Sequence, residues 1–145
     1  MVIASTANLP DRITRAMGYV TRWCKNQLAK KVPDSHNYGR AVDALLKGEV
    51  ATGNAASEST IRDLRDVLME DTDNPIGFPR TLGQTNPHDL REVLQAFTEL
   101  GAVRDDKAVR ARLSTLLDSW IHFTLSLIHI SEPTRPRLIS YAVFC

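Results

Sequence analysis

The sequence predicts an all-α protein, a bundle or orthogonal array of about five amphipathic helices with one long Pro/Gly loop. Three observations predict it. Apolar residues return every three or four positions in five separate segments, no segment alternates with the period of two that marks a strand, and Pro33 and the Pro75–Gly83 stretch fall between the periodic segments. At 145 residues, 43% apolar and 24% charged, the chain suits one hydrophobic core built from the inward faces of those helices.

The first segment opens at Asn8, placed to cap, with Pro10 tolerated in the first turn and Asp11 suited to the positive helix end. Ile13, Met17, Val20, Cys24 and Leu28 form one stripe, closed off by Pro33. The other side carries Arg15, Arg22, Lys25, Lys30 and Lys31, a solvated face and the candidate partner surface. A second helix takes Asp34 or Ser35 as its cap, turns Tyr38, Val42, Leu45 and Leu46 one way, and is expected to end near Gly48. Ser57 caps a third, with Ile61, Leu64, Val67 and Leu68 inward.

Asp71 to Asn86 contains Pro75, Gly77, Pro79 and Gly83 and reads as a long loop, pinned to the core by Ile76 and Phe78. Such loops are uncommon in compact domains and often functional. Asp71 and Asp73 share the opening spacing of an EF-hand loop, but Pro75 occupies the third ligand position and Ile76 replaces the turn glycine, so calcium is not expected. Asn86-Pro87-His88-Asp89 opens a fourth helix with a cap, an N1 proline and an early carboxylate. Its stripe is Leu90, Val93, Leu94, Phe97 and Leu100, and Gly101 is expected to break it. Asp105 or Asp106 starts the fifth, with Val109, Leu113, Leu116, Leu117, Trp120 and Ile121 along one face.

The stretch Leu125-Ser-Leu-Ile-His-Ile-Ser-Glu-Pro-Thr-Arg135, then Pro136-Arg137-Leu138, then Ile139-Ser-Tyr-Ala-Val-Phe-Cys145 has a different character. It resembles the in-frame translation of a transposase-type short-read library adaptor, with Pro136 to Leu138 standing where a variable index would be encoded. The resemblance covers eighteen of these twenty-one positions. It implies a single helical domain over residues 1–124, open to C-terminal truncation, followed by a non-native segment over residues 125–145 that is set aside from functional argument.

Without that segment the chain is neutral, but its charge is segregated: residues 1–50 sum to +4 and residues 51–124 to −4. The balance lacks the basic excess typical of nucleic-acid or membrane-surface binders. Outside the adaptor-like segment Cys24 is the single cysteine; it lies on an apolar stripe and reads as a small buried hydrophobe in a reducing compartment. With no basic n-region at the start and no long apolar run, a cytoplasmic location and no membrane partner are expected.

Ala51, Ala55, Ser57, Ser59, Thr60, Ile61 and Leu64 fall in a pattern that resembles the helix-turn-helix family of DNA-binding domains over residues 51–68. The resemblance implies that Glu58, Ser59 and Arg62 face base edges while Ser57 and Thr60 approach phosphates. Residues 56–70 nevertheless set Glu58, Asp63, Asp66 and Glu70 against Arg62 and Arg65, a balance that repels phosphate.

Enzymatic motifs are missing: there is no dinucleotide or phosphate-binding glycine loop and no H-E-x-x-H. Asp34, Ser35 and His36 are the residue types of a triad, but sequence neighbours do not reach triad geometry. No cofactor or metal is expected. The reading is a non-catalytic helical interaction module that binds another macromolecule, a protein rather than DNA, through the basic first helix or the long loop. The alternatives are a helix-turn-helix DNA-binding protein and the N-terminal helical piece of a larger enzyme.

Overall fold

A computed structural model describes residues 8–73 and 87–131. Within them the chain is all-α, with five helices and no strand: α1 Leu9–Ala29, α2 Ser35–Thr52, α3 Glu58–Asp71, α4 Pro87–Val103 and α5 Lys107–Ser131. The Asn86 cap, the pinning of the loop by Ile76 and Phe78, and residues 132–145 lie outside the described residues.

Helix α2 is the centre of the molecule. It packs most extensively against α4, and also against α1 and α3, while α5 packs on α4. Tyr38, Val42, Leu45 and Leu46 are buried, as their spacing predicts, and meet Leu90, Val93, Leu94, Phe97 and Leu100 of α4 in one core. Removing each such side chain from water contributes roughly 1.5–3 kcal/mol. The close seating of α2 on α4 depends on Gly39, where a Cβ would come within 2.6 Å of the Glu92 carbonyl oxygen. From α1, Met17 and Cys24 are buried, with Ile13, Val20 and Leu28 partly buried against the same core. From α3, Ile61, Leu64 and Leu68 are buried and Val67 is half-buried.

The helix ends depart from expectation in four places. Asp34 caps α2 by accepting the Asn37 backbone N–H at 3.2 Å, but the helix runs past Gly48 to Thr52 and stops at Gly53, whose φ of +70° is a left-handed C-cap suited to glycine. Gly48 instead makes room for the thioether of Met17 from α1, which lies 2.6 Å from where a Cβ would sit. Ser57 stands at the start of α3 but does not cap it; its hydroxyl is buried and pairs with the Thr21 hydroxyl of α1 at 2.9 Å. Helix α3 continues through Asp71, so the loop begins later than the sequence suggests. Gly101 does not break α4, which continues to Val103; the aliphatic part of Arg110 packs where its side chain would be.

The α4–α5 corner is held by Asp106. Its carboxylate accepts the Val109 backbone N–H at 3.1 Å and a two-pronged hydrogen bond from Arg65 of α3 at 2.9 and 3.2 Å. This pairing holds the Asp106 carboxyl below its usual range, and the Arg65 guanidinium correspondingly above its own. Along α5 two of the six expected inward positions stay outside the core. Val109 and Leu116 are buried and Leu113 and Trp120 lie partly against the core, whereas Leu117 and Ile121 are exposed. The helix runs unbroken across the Thr124–Leu125 boundary with Phe123, Leu125 and Ile128 exposed.

Candidate partner-binding surface

Helix α1 has two faces because its apolar stripe follows the helical period, leaving positions displaced by half a turn in solvent. Between Leu9 and Lys31 lie six basic residues and one acidic residue. Arg15, Arg22, Lys25, Lys30 and Lys31 are all exposed, and none lies within ion-pair distance of a carboxylate among the described residues. The second half of the chain differs. There Arg65 holds Asp106 and Asp66, Arg104 bridges Glu49 and Glu58, Arg110 pairs with Asp105, and Arg112 holds Asp73 together with the Met69 carbonyl. Charge segregation in the sequence thus becomes a division of labour: Arg65, Arg104 and Arg112 fasten helices together, while Arg15, Arg22 and Lys25 of α1 face solvent without a carboxylate partner among the described residues.

These five basic residues do not form one cluster. Arg15 and Arg22 share the wall of a cavity of about 470 Å³ with Thr21 and Ser57, whereas Lys31 lines a separate hollow of about 570 Å³ beside Asp63, Asp66 and Glu70 of α3. Two exposed aromatic residues accompany Arg15 and Arg22. Tyr19 is 61% exposed with the Arg22 guanidinium carbon 4.8 Å above its ring, a cation–π pair worth about 0.5–1 kcal/mol at the surface. Trp23 is 38% exposed and leans on the buried Tyr38 ring, with centroids 6.2 Å apart.

Tyr19 and Trp23 also wall a groove between α1 and α2. One cavity of about 560 Å³ is lined by Tyr19, Val20, Trp23, Asn37, Arg40, Ala41 and Ala44. A second of about 340 Å³ continues it past Val20 and Ala44 to Ile13, Ala16, Gly48 and Ala51. Ala16, Ala44 and Ala51 are exposed there, so small side chains leave the groove open. The spacing that identified the basic face also contains Tyr19, one turn from both Arg15 and Arg22, and Trp23 one turn beyond Tyr19. The groove itself exists only once α1 lies on α2.

The residues implied by the helix-turn-helix resemblance lie at the start of α3 and differ in exposure. Ser57 is 3% exposed and bonded to Thr21, Thr60 is fully buried, and Glu58 is engaged by Arg104, while Ser59 and Arg62 face solvent. The turn before α3 is built by Gly53 and by Asn54, whose side chain accepts the Ala56 N–H at 2.9 Å.

The triad-like neighbours separate. Ser35 donates to the buried Asp71, the His36 Nδ1 lies 2.9 Å from Asp89 of α4, and Asp34 caps its own helix. These contacts tie α2 to α3 and α4. Asp73 lies 3.4 Å from Arg112. Among the described residues no three His, Cys, Asp or Glu side chains gather to hold a metal, and no helix is long and apolar enough to cross a membrane. Burial pushes the Cys24 thiol up to about 11, which keeps it protonated and unreactive at neutral pH.

Comparison with family models, with curated proteins and with solved structures returned no match. The fold and surface therefore define a class only: a small all-α bundle with an open aromatic and basic face.

Proposed function

We propose that this protein is a non-catalytic helical interaction module that binds another protein through the outer face of α1. The observation that carries this reading is the exposure of Tyr19 and Trp23 on the wall of an open groove, with Arg22 against Tyr19 and no carboxylate within ion-pair distance of Arg15 or Arg22 among the described residues. Aromatic and arginine side chains supply most of the binding energy at protein interfaces, and tyrosine and tryptophan do so at low conformational cost. The helix-turn-helix alternative draws only on exposed Ser59 and Arg62, because Ser57 and Thr60 are enclosed.

A photo-crosslinking amino acid at Ala16, in the groove, tests this reading against one at Val50, which is 72% exposed and outside it. In an extract of the source cells, a discrete protein adduct is expected from position 16 and none from position 50. Adducts with nucleic acid alone, or equal labelling from both positions, would overturn it.

A further inference from the structure

From the α1–α2 groove we infer that the partner presents an acidic amphipathic helix, which lies along the groove as an additional helix of the bundle; this rests on the interaction-module reading above. The shape argues for a helix. The groove follows α1 from Ile13 to Trp23, ten residues or ~15 Å, which matches about three turns of a partner helix. Beside Ile13, Met17, Val20 and Leu45 it is lined by Ala16, Ala41, Ala44 and Ala51, and small side chains at those positions allow helix axes to approach to roughly 8 Å. Tyr19 and Trp23 form one wall and offer large apolar contacts to residues spaced three and four apart on the incoming helix.

The charge of the partner follows from the rim. Among the described residues no carboxylate lines either cavity; the ionisable groups there besides Tyr19 are Arg40 and Lys47, with Arg22 held against the outer side of Tyr19. Arg40 and Arg22 lack a carboxylate within ion-pair distance among the described residues, and Lys47 is held by Asp43 of its own helix. A helix with glutamate or aspartate along both edges of its apolar stripe meets these cations on each side, and a basic helix is repelled. The chain's own acidic helix, α3, cannot serve from a second copy, because its apolar stripe of Ile61, Leu64 and Leu68 is buried in its own core.

The inference is tested by selecting a displayed library of 14-residue amphipathic helices against the full chain. Clones are then measured on Ala44→Trp, which fills the groove at an exposed position, and on Arg22→Glu/Arg40→Glu. The enriched sequences are expected to carry acidic residues on both flanks of an apolar stripe, and to lose about tenfold or more in affinity for each variant. Circular dichroism establishes that the variants remain helical, and a Trp23→Phe variant reads the groove independently by losing affinity if Ala44→Trp disturbs the fold. Enrichment of neutral or basic helices, binding indifferent to Ala44→Trp, or no enrichment would overturn the inference. If the Ala16 crosslink to a protein persists in any of these cases, the interaction-module reading stands and only the acidic helix falls. Tighter binding of a single-stranded oligonucleotide that competes at the groove, or concentration-dependent self-association lost in Ala44→Trp, also overturns it, in favour of a nucleic acid or a second copy.

Discussion

Thr60 shows how a side chain changes meaning between sequence and structure. In the chain it stands where a DNA-binding motif presents a hydroxyl to phosphate, yet in the fold it is fully buried and its Oγ1 has no hydrogen-bond partner among the described residues. An unsatisfied buried hydroxyl costs about 1–3 kcal/mol, and valine has the same shape without it. Thr60→Val is therefore expected to raise stability by about 1 kcal/mol in urea unfolding; a loss of that size would mean that the hydroxyl has a partner. Asp106 is the opposite case, a carboxylate satisfied by Arg65 and by the first turn of α5. Because its folded pKa lies below its ordinary value near 3.8, the pair stabilises the fold above that pH and the contribution is lost as the pH falls through the lowered value. Asp106→Asn should lower stability at pH 7 and flatten the acid limb of the stability profile, as read by thermal melts between pH 2 and 7. An unchanged acid limb would remove the pair from the account of stability.

At the scale of helices, the stripes were legible because burial follows the 3.6-residue period, which is a local property of the chain. Every expected inward position of α2 and α4 is buried. The ends were less legible because a glycine or serine takes its role from what approaches it. Gly48 and Gly101 read as terminators, but Met17 and Arg110 arrive from other helices to fill the space beside them, and Ser57 turns from its own backbone to Thr21. The candidate site divides in the same way. Arg15 and Arg22 could be found from spacing, whereas the groove beside Tyr19 and Trp23 is a product of two helices. Gly39 yields the sharpest test of packing between elements. A methyl group there meets the α4 backbone, which cannot step aside, while one at Gly48 meets the movable end of Met17. Gly39→Ala should cost about 2–3 kcal/mol and Gly48→Ala clearly less. Equal costs in chemical denaturation would contradict the close seating of α2 on α4.

At the largest scale, the core closes around α2, and Trp120 is the last of the described side chains of α5 to reach it. Beyond that point the described side chains of α5 are exposed, across the boundary at which the adaptor-like residues begin. Ending the chain after Thr124 is expected to change stability by less than about 0.5 kcal/mol, in keeping with the small effect of altering exposed positions. A larger loss in a thermal melt would give residues 125–145 a structural role. The remaining feature at this scale is the contrast between Arg65, Arg104 and Arg112, which hold α3, α4 and α5 in place, and Arg15, Arg22 and Lys25, which lie open on α1. If the open set serves binding, it can be removed without harm to the fold. The most direct measurement combines thermal unfolding with the Ala16 crosslink in a Tyr19→Ser/Arg22→Ser variant. A melting temperature within about 4 °C of the parent is expected, together with loss of most of the protein adduct. An undiminished adduct, or a chain that no longer folds, would contradict the assignment of this face to a partner.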